Sequence, residues 1–378
     1  MAKSQSQLLE ILTTQSVAQK VIKSPLSDQG LDDALRFPFL AVVGQEEMKL
    51  ALMLSIINRQ VGGLLLIGPR GTGKTTAVRG LINLLPSVRR SACPYGCQEE
   101  AVESFGIDAV CTECAVKIGM GEPITRSEPM RLVELPLNAR LEDVVGGINE
   151  RIALEQNKIV LDRGILSYAD QNLLYIDEVN LLDDAITNAI LDAAAQGIFT
   201  VRRGPMSATY RSRLFLVGSM NPEEGQLRPQ LQDRFGLRIV VSALEDPEAR
   251  LDAYRRAVAY QQNPHQFVAE WQHQTNMALL DIQDSRERLP QVGFEKGVEE
   301  IGIRWIKDLQ IQSHRAEITL FEAARAYAAA DERDKVTLDD LKFIAPMALR
   351  QRHSDFINTY VASQEEETGI IQDVINQS

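Results

Sequence analysis

Apolar residues fall in two rhythms along this chain of 378 residues, and the rhythm changes near Ser242. Before it, short apolar runs bounded by turn residues alternate with stretches of helical spacing. After it, only helical spacing remains. Leu64-Leu65-Leu66-Ile67, Met130 to Pro136, Asn172 to Glu178, Leu214 to Val217 and Ile239-Val240-Val241 predict strands, and Ile159 to Gly164 adds a short extended run. Gln45 to Asn58, Thr75 to Leu85, a short turn over Leu141 to Gly147, and Asp183 to Gln196 closed by Gly197 predict helices. Phe199 to Thr209 predicts a hairpin turning at Gly204-Pro205. Strands alternating with helices imply an α/β fold, a parallel sheet covered on both faces. Beyond Ser242, Glu248 to Gln261, Val298 to Gln312, Phe321 to Ala330 and Leu338 to Arg350 predict helices, the last kinked or ended at Pro346. A polar stretch around Asp281 to Lys296 reads as the connection within this part. The expected organisation is a tail over 1–36, an α/β core over 37–242 and an all-helical domain over 243–378. A Cys-, Glu- and Gly-rich stretch from about 86 to 129 reads as an insertion into the core.

The first candidate chemistry lies between one predicted strand and one predicted helix. Gly68-Pro69-Arg70-Gly71-Thr72-Gly73-Lys74-Thr75 is a complete G-x-x-x-x-G-K-[ST] phosphate loop in its proper context. Its glycines let successive N–H groups turn toward phosphate oxygens, and the following helix adds positive partial charge. Lys74 is placed to reach the outer phosphates, the Thr75 hydroxyl to ligate Mg²⁺, and Thr76 to border the same phosphates. A second centre ends the strand at Asn172 to Glu178. Ligands of an open parallel sheet sit at the carboxyl ends of its strands. Asp177 is placed to hold Mg²⁺ and Glu178 to polarise an attacking water, which makes the site hydrolytic. Asn221 follows a third strand and can hydrogen-bond a phosphate or the water, or simply start a turn. Arg234 stands beside Asp233, an acid able to orient it, and can act as an arginine finger across a subunit boundary. Arg228 competes for that role.

Composition changes the picture little. Hydrophobic residues make up 44% and charged residues 24%, as in a soluble globular protein, and the net charge of −12 argues against a dedicated nucleic-acid or anionic-membrane surface. No apolar run is long enough to span a bilayer. Met1 to Lys23 is rich in Ser, Gln and Lys, but the absence of Arg favours a disordered tail over an organellar presequence. All four cysteines fall within one short stretch, as C-x3-C (Cys93, Cys97) and C-x2-C (Cys111, Cys114). They suit a Zn²⁺ site, a redox pair of thiols, or four reduced cysteines in a surface segment, and spacing leaves all three open.

Taken in order, these motifs resemble an AAA+ ATPase: a P-loop NTPase core followed by a helical lid. The resemblance assigns the first sensor to Asn221, the finger to Arg234 and a second sensor to Arg315 in Ser313-His314-Arg315-Ala316-Glu317. It likens Val42-Val43-Gly44-Gln45 to the segment against the adenine, with Val43 and Gly44 as contacts. FPFLAVVGQEEMKLALMLSIINRQVGGLLLIGPRGTGKTTAVRGL, LPLNARLEDVVGGIN, YIDEVNLLDD and FLVGSMNPEEGQLRPQLQDRFGL narrow it to the I subunit of magnesium chelatase, the cyanobacterial and plastid type, and CPYGC and CTEC are taken to suit that type. The resemblance implies ATP and Mg²⁺ as cofactors, a homo-oligomeric ring, expected to be hexameric, and D and porphyrin-binding H subunits as partners. It implies a ligase forming nitrogen–metal bonds, and a cyanobacterial cytoplasm or chloroplast stroma as its place. It also implies that Arg315 serves the site of its own chain and Arg234 the next. Leu141–Asp162 and Phe199–Tyr210 look like family insertions. The rival readings are an AAA+ nucleic-acid remodeller and a nucleotide-gated scaffold with vestigial hydrolysis.

Overall fold

Five parallel strands carry the candidate chemistry. The computed structural model describes residues 35–148, 161–204 and 206–352, so the tail over 1–34, Pro205, the middle of the Leu141–Asp162 segment and the chain beyond 352 lie outside the described residues. The strands of the α/β part are β1 (Gly63–Ile67), β2 (Ser87–Ser91), β3 (Thr125–Pro129), β4 (Leu132–Leu135), β5 (Leu173–Ile176), β6 (Ile198–Arg203), β7 (Met206–Arg211), β8 (Phe215–Met220) and β9 (Phe235–Val240), and the part expected to be all-helical adds one short parallel pair, β10 (Gly293–Phe294) with β11 (Lys335–Val336). The central sheet runs β4-β5-β8-β1-β9, every neighbour parallel, with Leu64 opposite Val217 and Leu174 opposite Leu216. β2 and β3 pair antiparallel within the predicted insertion, and β6 and β7 form the predicted hairpin.

The apolar runs do not alternate because both faces of this sheet are buried. Leu64, Leu66, Leu173, Tyr175, Phe215, Val217, Leu237 and Ile239 join one apolar cluster. Leu65, Ile67, Leu174, Ile176, Leu216 and Met220 join another. The second face is covered by the helices Leu141–Val145 and Asp184–Gln196. The first is covered by Glu46–Ile57 and, from the end of the chain, by Pro264–Arg288, Val298–Asp308, Arg315–Ala330 and Leu338–Leu349. The helical part thus shares one continuous apolar cluster with the sheet.

Two sequence expectations change here. The first half of the polar stretch Asp281 to Lys296 is no connection: the helix Pro264–Arg288 runs through it, started by Pro264 at its first position and an Asn263 side chain that accepts from the Gln266 N–H at 3.2 Å. Only Phe267, Thr275, Ile282 and Ser285 of its 25 residues are buried, so the stripe is too thin to stand out among charges. Pro346 does not end its helix, which continues to Leu349.

Candidate functional site

The phosphate loop leaves β1 at the carboxyl edge of the sheet. Gly71 and Gly73 sit at φ +79° and +87°, which turns the backbone between strand and helix. Lys74 is buried; its ammonium donates to the Gly68 and Pro69 carbonyls at 2.7 and 2.8 Å. Burial pushes its pKa below the usual lysine range, against the pull of Asp177, Glu178 and Glu224. Arg70, Gly71, Thr72, Gly73, Lys74, Thr75 and Thr76 line one cavity of about 290 Å³ with Asp177, Glu178, Ser219 and Asn221.

Asp177 is met by three hydroxyls. Tyr175 donates to Oδ1 at 2.9 Å, Thr75 to Oδ2 at 3.2 Å, and Ser219 to Oδ1. Burial raises the Tyr175 phenol, so it stays a donor. An acid and a hydroxyl side by side are the hard oxygen donors that Mg²⁺ prefers, so Thr75 and Asp177 fit the expected ion. Glu178 sits at φ +52°, a conformation that costs a non-glycine residue about 1–2 kcal/mol, and its N–H bonds the Ser219 hydroxyl at 3.1 Å. Its carboxylate meets Arg70 at 2.9 Å, and Arg70 also reaches Glu224 at 2.6 Å. Asn221 is buried and starts the turn its sequence allowed. Its side-chain oxygen accepts from the Glu223 N–H at 3.3 Å, starting a short turn, which leaves the NH₂ as its donor beside the cavity.

A wider cavity of about 690 Å³ adjoins the loop. Val43, Phe37, Leu244 and Tyr260 line it with Pro69, Gly71, Thr76 and Arg250. Gly44 stands beside it at φ +60° with Leu244 packed against it.

The arginines are elsewhere. Arg234 and Arg315 line a third cavity, about 660 Å³, with Gly63 and Phe215, which begin β1 and β8, and with Arg59, Arg213 and Arg286. That is the amino edge of the sheet. A five-residue strand spans about 16 Å, so neither arginine shares the space around Lys74. The expectation that Arg315 serves its own chain's loop is therefore corrected: the helix it opens packs at the far edge. Nor does Asp233 orient Arg234. Adjacent side chains diverge here, so Asp233 accepts from Ser313 at 2.7 Å and pairs with Arg352 at 2.8 Å and Arg238 at 3.4 Å, while Arg234 pairs with Asp192. Burial and the neighbouring Arg352 bring Arg238 down to about 10. Arg228 pairs with Asp184 at 2.7 Å, outside this cavity.

The four cysteines come together. All are free thiols, and their sulfurs lie within 4.8 Å of one another. Residues that sequence reasoning missed include Tyr175 and Ser219, each two positions before a chosen residue on the same extended run, which was the available signal. Arg59, Arg213, Arg250 and Arg286 carry no local signal.

Residues 38–124 match the model of the family "Magnesium chelatase, subunit ChlI", and residues 307–374 match an AAA lid domain. The chain is 40% identical to a magnesium-chelatase subunit ChlI homolog of Methanocaldococcus jannaschii, over 84% of this chain and 85% of that one. It is 36% identical to the magnesium-chelatase subunit ChlI of Synechocystis sp., over 84% and 88%. A crystal structure of a proposed ATPase from Cytophaga hutchinsonii shares the fold, with a TM-score of 0.53 at 20% identity, covering 83% of this chain and 84% of that one.

Proposed function

Because the chain belongs to the magnesium chelatase subunit ChlI family, we propose that it is the ATP-hydrolysing AAA+ subunit of a magnesium chelatase, coupling hydrolysis to insertion of Mg²⁺ into protoporphyrin IX on the way to chlorophyll. The observation that carries the ATPase half is the single cavity joining Lys74, Thr75, Asp177, Glu178 and Asn221. Lys74 and the loop N–H groups bind the phosphates. Thr75 and Asp177 hold the nucleotide's Mg²⁺, which when bound neutralises and orients the phosphate oxygens. Glu178 takes a proton from the attacking water, and the Asn221 NH₂ orients that water or the terminal phosphate. Val43 and Gly44 border the space for the base. The Mg²⁺ inserted into the porphyrin is a separate ion, a substrate.

Charge at the amino edge supports a shared site. Arg234 and Arg315 lie a strand's length from their own loop but line one cavity. A second copy stacked with its arginine edge against the first copy's loop edge brings both to the terminal phosphate, where guanidinium–phosphate contacts are strong and directional. Such a head-to-tail contact closes into a ring, here taken as hexameric. Hydrolysis removes the ligand that both copies hold. The two edges then part, and the motion passes to the D subunit and to the porphyrin-bearing H subunit. Arg234 is favoured over Arg228 as the finger because it shares the cavity with Arg315.

The test is reconstitution with purified D and H subunits. Mg-protoporphyrin forms only with this chain and ATP together, and Glu178→Gln stops it. Chelation at an equal rate without this chain would overturn the reading.

A further inference from the structure

The segment 92–124 is held together by its cysteines rather than by an apolar core. Several of its large apolar side chains point outward: Phe105 is 81% exposed, Met120 71% and Val116 51%. Its buried cluster consists of Cys97, Cys114 and Ile124, with Cys93, Cys111, Val110 and Ile118 packed against them. A segment of this size is too small to stand on so little apolar burial, and units this small are normally held by disulfides or a metal. Four thiolates bound at 2.3 Å to one tetrahedral ion stand about 3.8 Å apart. Here the four sulfurs form one group within 4.8 Å, not two separate pairs.

The surroundings are those of a thiolate site. The Cys97 N–H donates to the Cys93 sulfur at 3.4 Å and the Cys111 N–H to the Cys97 sulfur at 3.2 Å. The Ser91 hydroxyl donates to the Cys93 sulfur at 3.4 Å. Cys111 stands at the position just before the helix Thr112–Gly119 and Cys114 lies in its first turn, where the helix end favours negative charge. We propose that Cys93, Cys97, Cys111 and Cys114 bind one structural Zn²⁺, and that the metal-held segment braces the β6–β7 hairpin. Tetrahedral thiolate sites select zinc or iron–sulfur. A group this compact admits a single ion.

The brace is visible in the contacts. The Tyr95 ring stacks on Tyr210 of β7 at 5.5 Å, the Tyr95 carbonyl accepts from the Arg211 N–H at 3.1 Å, and the Gly96 carbonyl accepts from Arg213 at 3.1 Å. The first cysteine loop therefore sits on the chain just where it leaves the hairpin for β8, the strand that carries Ser219.

Metal analysis of the full chain, purified with reductant but without added metal, is expected to give one zinc per chain, released by a thiol-blocking mercurial and lost in Cys111→Ser. Exchange with cobalt gives the visible spectrum of tetrahedral Co²⁺–thiolate in the unmutated chain, which keeps the test independent of any folding defect in the variant. Hydrogen exchange at 206–213 rises when zinc is removed. Four titratable thiols with no metal, two disulfides in the mass spectrum, or stoichiometric iron would each overturn the zinc site. Unchanged exchange at 206–213 on zinc loss would overturn the brace.

Discussion

At the carboxyl edge of the sheet, Lys74, Thr75, Tyr175, Asp177, Ser219 and Asn221 come from the ends of three neighbouring strands and the segments that directly follow them, and several of them bond one another. At the amino edge, Arg59, Arg213, Arg234, Arg286 and Arg315 are scattered along the chain, and several are occupied with their own surroundings. Arg59 donates to Gln171 at 3.1 Å, Arg213 pairs with Asp170 at 2.7 Å, and Arg286 donates to the Ile56 carbonyl at 3.0 Å. Arg315 is exposed. The contrast teaches that one chain gathers the groups proposed to bind nucleotide at one edge and, at the other, the arginines proposed to complete a neighbour's site.

Separating the edges gives the largest expected effect. Arg234→Ala is expected to lower ATP turnover by roughly 10³–10⁵-fold, the contribution of an arginine finger, while leaving nucleotide binding at the loop edge intact. Lys74→Ala is expected to fail at binding. Mixing the two inactive proteins restores part of the turnover, because some interfaces then combine an intact loop with an intact arginine. A mixture as inactive as its components would mean that the two edges never meet. Within the loop edge, Glu178→Gln is expected to cost roughly 10²–10⁴-fold in kcat, the scale of general-base catalysis, with ATP affinity unchanged in a fluorescent-nucleotide titration. Turnover that survives the change would take the base role away from Glu178.

These two edges were unequally legible in sequence. The loop edge is local: a strand, a glycine turn and a lysine stand together in the twelve residues from Gly63 to Lys74, and Asp177-Glu178 ends its own strand. The sheet itself was also legible, because fully buried strands leave unbroken apolar runs such as Leu64 to Ile67. What the sequence hid was set by long-range packing. Arg315 looked like part of its own site until the helix Arg315–Ala330 was seen to lie at the amino edge. Asp233 looked like the partner of Arg234, yet it faces Arg352, which is 119 residues away. The helix Pro264–Arg288 was obscured by its own solvated face.

Asp233 offers the next break, this time in what holds the amino edge together. The Arg238 and Arg352 side chains are 1% and 0% exposed, and Asp233 is the acid both reach. Asp233→Ala leaves two buried guanidinium groups without it, and because Asp233 is 34% exposed and both arginines keep backbone carbonyl acceptors, the cost is expected to fall below the roughly 3–5 kcal/mol of a fully buried pair. The expected result is an earlier midpoint in urea, with Asp233→Asn falling between. Wild-type unfolding in the alanine variant would mean that the carbonyls around Arg352 suffice.

The smallest effect sharpens the loop edge, separating its phosphate half from its base half. Gly44 adopts φ +60°, and a Cβ there would stand 2.6 Å from Leu244 Cδ2. The contact is with the tip of a flexible side chain, so Leu244 can turn away, but it turns within the cavity that Val43 and Tyr260 also line. The backbone conformation adds about 1–2 kcal/mol for alanine. Gly44→Ala is therefore expected to fold, to melt a few degrees lower, and to bind ATP several-fold more weakly, as about 1 kcal/mol of lost contact requires. Inorganic triphosphate, which lacks the base, is expected to bind the variant and the parent alike, because Lys74 and the loop glycines are untouched. Equal weakening toward both ligands would show that the strain reaches the phosphate loop and that the two halves are one unit.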